Sequence, residues 1–143
     1  MIEEGYRKLE IYRLAHKLAV EVHAMTMKLP KFEIYEEGGQ IRRSSKSTST
    51  HIVEGYCRRK YKNDFLLYLT RSYAECAESI EHLEFLFETK SLTDEVLFKS
   101  LREQYETLSK KIFRFNQSVD EGHDTPYYVR EDETPYEPGD PNP

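Results

Sequence analysis

Apolar side chains in three stretches of this chain recur at alternating steps of four and three residues. That stepping restricts the fold more than any other feature. Ile11, Ala15, Leu18, Val22, Met25 and Leu29 make the first series. Leu66, Leu69, Tyr73, Cys76, Ile80, Leu83 and Phe87 make another, and Leu101, Tyr105, Leu108, Ile112, Phe115 and Val119 the last. Residues three and four apart share one face of an α-helix, so each series predicts a helix with a narrow apolar seam. The first spans about residues 9–28 and stops at Pro30, which has no N–H to continue it. Asn63 is placed to cap the helix that carries the second series. Ser91 with Asp94 loosely matches a capping box ahead of the last. Helices of about 20 residues are about 30 Å long, and seams of that length are buried by packing against one another. The predicted class is all-α, a bundle.

Residues 40–60, QIRRSSKSTSTHIVEGYCRRK, break the pattern of bulky seams. Six of the seven positions from Ser44 to Thr50 are hydroxyl residues, and propensity alone reads them as a loop. Yet Ile41, Ser45, Thr48, Ile52 and Gly55 fall on the same four-three stepping, which predicts a helix with a thin inward face. Its hydroxyls can bond to carbonyls one turn earlier, and neighbouring helices can approach it closely. Gly38-Gly39 and Gly55 mark its ends or a bend.

At 143 residues the chain is long enough for one domain with a real core. The net charge of −5 is unevenly divided. From Asp120 onward eight acids face Arg130 alone, a balance of −7 that leaves residues 1–119 at +2. The expected organisation is a bundle over 1–119 and an acidic, proline-rich tail over 120–143, disordered or peripherally docked. There is no apolar run near 18 residues and no signal-like leader, so the expected setting is cytoplasmic, without a membrane. Cys57 and Cys76 fit no zinc spacing and are read as free thiols.

Several strings resemble one family, the 23S rRNA intervening-sequence or S23 proteins. LEIYRLAHKLAVEVHAMTMKLP is similar to the family's first helix. FEIYEEGGQIRRSSKS is similar to its glutamate–tyrosine segment and the Gln-hydrophobic-Arg-Arg start of helix 2. HIVEGYCRR resembles Asn-Ile-Ala-Glu-Gly followed by a basic pair, and FLLYLTRSYAECAESIEHLEFL resembles helix 3. The resemblance covers about residues 6–118. It implies an up-and-down antiparallel four-helix bundle assembled as a homopentameric barrel, a fold shared with the accessory protein of diversity-generating retroelements. It also marks Gln40, Arg42, Arg43, Glu54, Gly55 and Glu78 as a structural motif, in which the arginines pair with Glu54 or Glu78. Two positions depart from the family, Ser49 in place of its usual Pro and His51 in place of Asn. The first predicts a more continuous helix 2 and puts that segment's subunit contacts in question. Phe65, Tyr68, Phe85 and Leu86, off the third helix's seam, widen its core stripe or serve as interface anchors.

Candidate chemistry concentrates between residues 41 and 62, where seven cations face Glu54 alone. Arg58, Arg59, Lys60 and Lys62 in the connection between helices 2 and 3, with Lys46, are the residues expected to meet a nucleic acid. Cations interleaved with aromatics hold a phosphate backbone and stack unpaired bases. The competing reading of these cations is a solvated face with ion pairs to acidic helices. His16, His23, His51, His82 and His123 form no Glu-x-x-His pair, so a di-iron site lacks its ligands. No nucleophile elbow or phosphate loop is present. Glu75, Glu78, Glu81 and Glu84 spiral around helix 3 as a solvated flank. The expected function is therefore a non-catalytic oligomeric accessory or scaffold without cofactor. Its expected partners are itself and either RNA or a reverse-transcriptase-like protein. The alternative is a protein-interaction assembly without nucleic acid, its partner recruited by the tail.

Overall fold

A computed structural model describes residues 5–122, together with the backbone of two short strands. Gly5 and a 3-10 turn, Tyr6–Lys8, lead into Leu9, whose side chain is fully buried. Four long helices follow: α1 (Glu10–Thr26), α2 (Glu37–Cys57), α3 (Lys62–Glu88) and α4 (Glu95–Gly122). α1 packs on α2 and α4, and α3 fills the other side between the same two helices. The tail is expected from residue 120, and α4 continues as helix through Gly122. Beyond it β1 (Tyr128–Val129) pairs antiparallel with β2 (Thr134–Pro135). The remainder of the acidic tail lies outside the described residues.

Three of the four predicted seams are the buried faces of their helices. Every residue of the α1 and α4 series is buried, and so are Ile41, Ser45, Thr48, Ile52 and Gly55 of α2. The hydroxyl run is thus helix, continuous through Ser49. Its side chains do what the thin-face reading requires: Ser44 Oγ donates to Ile41 O, Ser45 Oγ to Arg42 O and Thr48 Oγ1 to Ser44 O.

The seam of α3 differs from expectation. Leu69, Cys76 and Leu83 are buried as predicted, but Tyr73 is 41% exposed and Leu66, Ile80 and Phe87 lie at the edge of the core. The buried series is Phe65, Leu69, Ser72, Cys76, Ser79, Leu83 and Leu86. It has the same stepping with smaller members. The cause is the facing helix. Where α2 presents Ser44 and Thr48, α3 answers with Ser79, whose Oγ lies 2.8 Å from Ser44 Oγ, and with Ser72, whose Oγ donates to Thr48 O at 2.7 Å. Two thin faces meet, and the bulky side chains turn aside. Phe85 is exposed while Phe65 and Leu86 are core, so the off-seam group splits.

Helix ends show how local chemistry sets boundaries. Pro30 stops α1 as predicted and starts a single turn, Lys31–Ile34. In that turn Glu33 is buried; its Oε1 accepts the Glu37 N–H at the start of α2, and its Oε2 accepts from Ser91. A carboxylate there satisfies an orphan donor and faces the positive end of the helix. Asn63 does not cap α3: the helix starts at Lys62, behind Tyr61, with no side-chain cap. Ser91 does not cap α4 either, because its hydroxyl is spent on Glu33. Asp94 caps it, accepting from the Leu97 N–H at 3.0 Å.

Candidate nucleic-acid interface

Residues 58–61 join α2 to α3 through tight turns in which the Arg58, Arg59 and Tyr61 N–H groups donate to Gly55, Tyr56 and Arg58 carbonyls. Gly55 permits this close return, since a Cβ there would stand 3.2 Å from Tyr68 Cβ and 3.4 Å from Phe65 Cδ1. The cations of this turn find different partners. Arg58 is half exposed, with Nη1 3.6 Å from Asp64 and its guanidinium 5.1 Å from the Tyr68 ring centroid. Lys60 lies over Tyr61, and Lys62 is 3.4 Å from Asp120 of α4.

Arg59 does not face a ligand. It is 1% exposed, its Nη1 donates to Tyr56 O, and its guanidinium lies 4.2 Å from the centroid of the buried Tyr56 ring. A guanidinium on an aromatic face is desolvated at lower cost than an ammonium, so this arginine can serve as core. Lys46 stands apart too, on the α1 side of α2, with Nζ 3.2 Å from His23 Nδ1. The patch therefore keeps Arg58, Lys60 and Lys62 and loses Arg59 and Lys46.

It gains residues that sequence spacing did not group with it. The Tyr6–Lys8 turn packs against α2, with Gly5 against Tyr56, so Arg7 and Lys8 belong to a segment that lies beside the end of α2. Arg71 of α3 places its guanidinium 5.1 Å from the Tyr68 centroid, as Arg58 does. Only the one-turn spacing of Tyr68 and Arg71 hinted at this.

The motif residues divide likewise. Arg42 is structural, but through oxygens other than carboxylates: Nη1 donates to Thr26 Oγ1 at 2.9 Å and Nη2 to Ile34 O at 2.7 Å. It ties the end of α1 and the Lys31–Ile34 turn to α2. Gln40, Arg43, Glu54 and Glu78 are exposed, and among the described residues no ion pair joins Arg42 or Arg43 to Glu54 or Glu78. Glu54 instead meets His51 Nδ1 at 3.1 Å, and His51 Nε2 is 3.9 Å from Glu75.

Burial, with the Glu78 charge beside it, raises the Glu75 pKa above its ordinary value; Arg43 and His51 only partly offset this. A carboxyl whose folded pKa is raised binds protons more readily folded than unfolded, so it costs stability once pH exceeds that folded value. Glu75→Gln is expected to stabilise the protein at pH 7 and to lose that advantage near pH 4, as read by urea denaturation at the two pH values. Burial also raises the Cys57 thiol, against the pull of Arg59 and Arg58, and pushes Cys76 up to about 12. Both stay protonated near neutrality and are poor nucleophiles.

A second feature is an open apolar groove of about 600 Å³ between α1 and α2, lined by Ala19, Val20, Ala24 and Ser49 among others, with His16, His23 and Lys46 on its rim. Among the described residues no three His, Cys, Asp or Glu side chains converge as metal ligands. Among them, too, no helix is long and apolar enough to cross a membrane.

Comparison with known proteins adds a family. No curated protein matches the chain. A crystal structure of a protein of unknown function from the S23 ribosomal protein family of Bacteroides thetaiotaomicron VPI-5482 superposes with a TM-score of 0.65. It is 22% identical, covering 75% of this chain and 95% of that one, a likeness of fold. The sequence model for the 23S rRNA-intervening sequence protein matches residues 7–114, which takes in α1, α2, α3 and most of α4. By that match the chain belongs to the 23S rRNA-intervening sequence protein family.

Proposed function

We propose that this protein is a non-catalytic, cytoplasmic accessory or scaffold that binds RNA through the basic end around the α2–α3 connection. The observation that carries the reading is the set of cations Arg58, Lys60 and Lys62 in and just after the α2–α3 connection, with Arg58 over the Tyr68 ring and Lys60 over the Tyr61 ring. Exposed cations next to aromatic faces bind a single strand through phosphates and stacking. Its assembly is an up-and-down bundle repeated in a homopentamer. The short connections support the first half: four residues reach at most about 14 Å, whereas α3, with 27 residues, is about 40 Å long, so α2 and α3 must run antiparallel. A ring would multiply a weak patch into a multivalent one. An RNA-processing protein such as a reverse transcriptase is a further partner of this kind.

The tail modulates the site. Residues 123–143 hold six acids and Arg130, and they follow α4, whose last turns already bring Asp120 to Lys62. The second reading, a protein-interaction assembly without nucleic acid, is favoured by the apolar α1–α2 groove. Deleting residues 123–143 separates the two. RNA binding should tighten severalfold on deletion, more at low salt than at high, as measured by fluorescence anisotropy with a single-stranded oligonucleotide. No RNA binding by either form, with loss of a protein partner from the shortened chain, would favour the second reading.

A further inference from the structure

We infer that Arg58, Tyr68 and Arg71 form a phosphate-recognition site for a single RNA strand, beside the α2–α3 connection. The inference rests on the RNA reading and adds to it a site and a direction for the strand.

Two guanidinium carbons each lie 5.1 Å from the centroid of one phenol ring, which bounds their separation at twice that distance. They come from different elements: Arg58 is the first residue after α2, and Arg71 stands one turn beyond Tyr68 on α3. The close return at Gly55 brings them together. Both are exposed, so neither is held there by burial.

Arg71 carries the argument. It has Glu75 at the i+4 position, the ordinary partner for a helical arginine. Glu75 turns to His51 instead, and no carboxylate among the described residues pairs with Arg71. Its guanidinium rests on Tyr68. Arg58 reaches Asp64 through Nη1 alone, at 3.6 Å. Two exposed guanidinium groups on one ring, only one of them near a carboxylate, make a place that favours an anion. A phosphodiester suits that place, since guanidinium groups fork onto phosphate oxygens. The Tyr68 ring stabilises both cations.

The surroundings set the direction. Beyond Tyr68 stands His51, whose ring is 6.0 Å from the Tyr68 ring and whose nitrogens face Glu54 and Glu75. Two carboxylates repel a second phosphate there. The strand therefore leaves over the connection, toward Lys60 and Lys62, and does not run past His51.

The test compares wild type, Arg71→Gln, Arg71→Lys and Lys28→Gln, all full-length, binding a single-stranded RNA oligonucleotide across a salt series. Lys28→Gln makes the same charge change at the far end of α1. Arg71→Gln is expected to weaken binding roughly tenfold at low salt and to reduce the log–log salt slope by about 0.7, one phosphate's worth on a single strand. Arg71→Lys should keep the slope and still lose affinity, because an ammonium cannot fork. If wild type binds and Arg71→Gln behaves as Lys28→Gln does, this site is overturned and the RNA reading stands. If wild type does not bind even at low salt, both fall.

Discussion

With Arg58, Lys60 and Lys62 all changed to glutamate, RNA binding is expected to fall by more than about 100-fold near 0.1 M salt. Each phosphate contact on a single strand contributes a salt slope of about 0.7, so three lost contacts remove roughly two log units, and three new carboxylates add repulsion. Folding should be nearly unchanged. The ion pairs given up, Arg58–Asp64 and Lys62–Asp120, are between half-exposed side chains, and such pairs contribute about 0–1 kcal/mol. Arg59 is deliberately left in place. Reversing that buried residue would set a carboxylate against the Tyr56 ring and carbonyl, and the unfolding would masquerade as lost binding. Circular dichroism beside the binding assay checks that the triple variant is folded.

Ser79→Leu is expected to destabilise the bundle by about 1–3 kcal/mol or more, the range for overpacking a tight core. Ser79 is fully buried with its Oγ 2.8 Å from Ser44 Oγ, so a larger side chain has nowhere to go without separating α2 from α3. Ser79→Ala should cost far less, since Ser44 Oγ keeps Ile41 O as acceptor. Tyr73→Ala supplies the contrast. Were Tyr73 a seam residue, as hydropathy alone suggests, its loss would cost about 3–5 kcal/mol, as for a large aromatic in a core. Exposed and touching Phe113, it should cost about 1 kcal/mol. Urea denaturation midpoints of the three variants decide which face of α3 is the core.

That contrast also explains what the sequence could convey. Seams of α1 and α4 were legible because each has one strongly apolar face. The α2 seam was legible from stepping, although its members are small. On α3 two stripes share Leu69, Cys76 and Leu83, and the choice between Tyr73 with Ile80 and Ser72 with Ser79 depends on the helix opposite. Periodicity within one helix carries no such information. The helix ends failed for a similar reason: Ser91 prefers Glu33, 58 residues away in sequence, to its own backbone.

The candidate site was legible only as a count of cations. Charge shows where positive residues are dense, and it is silent about which of them the fold withdraws. Arg59 was withdrawn by Tyr56, and Lys46 was carried to another face by the helix it sits on. Arg71 was overlooked because it lies among glutamates, one of which would ordinarily pair with it. Arg42 has as partners a hydroxyl and a carbonyl, Thr26 Oγ1 and Ile34 O, that its sequence neighbourhood does not announce.

The most direct test of the RNA reading is the salt dependence of full-length protein binding a single-stranded RNA. A basic end contacting at least three phosphates predicts that log affinity falls linearly with log salt, with a slope of about −2 or steeper. Absence of binding at the lowest salt, or binding indifferent to salt, would contradict it.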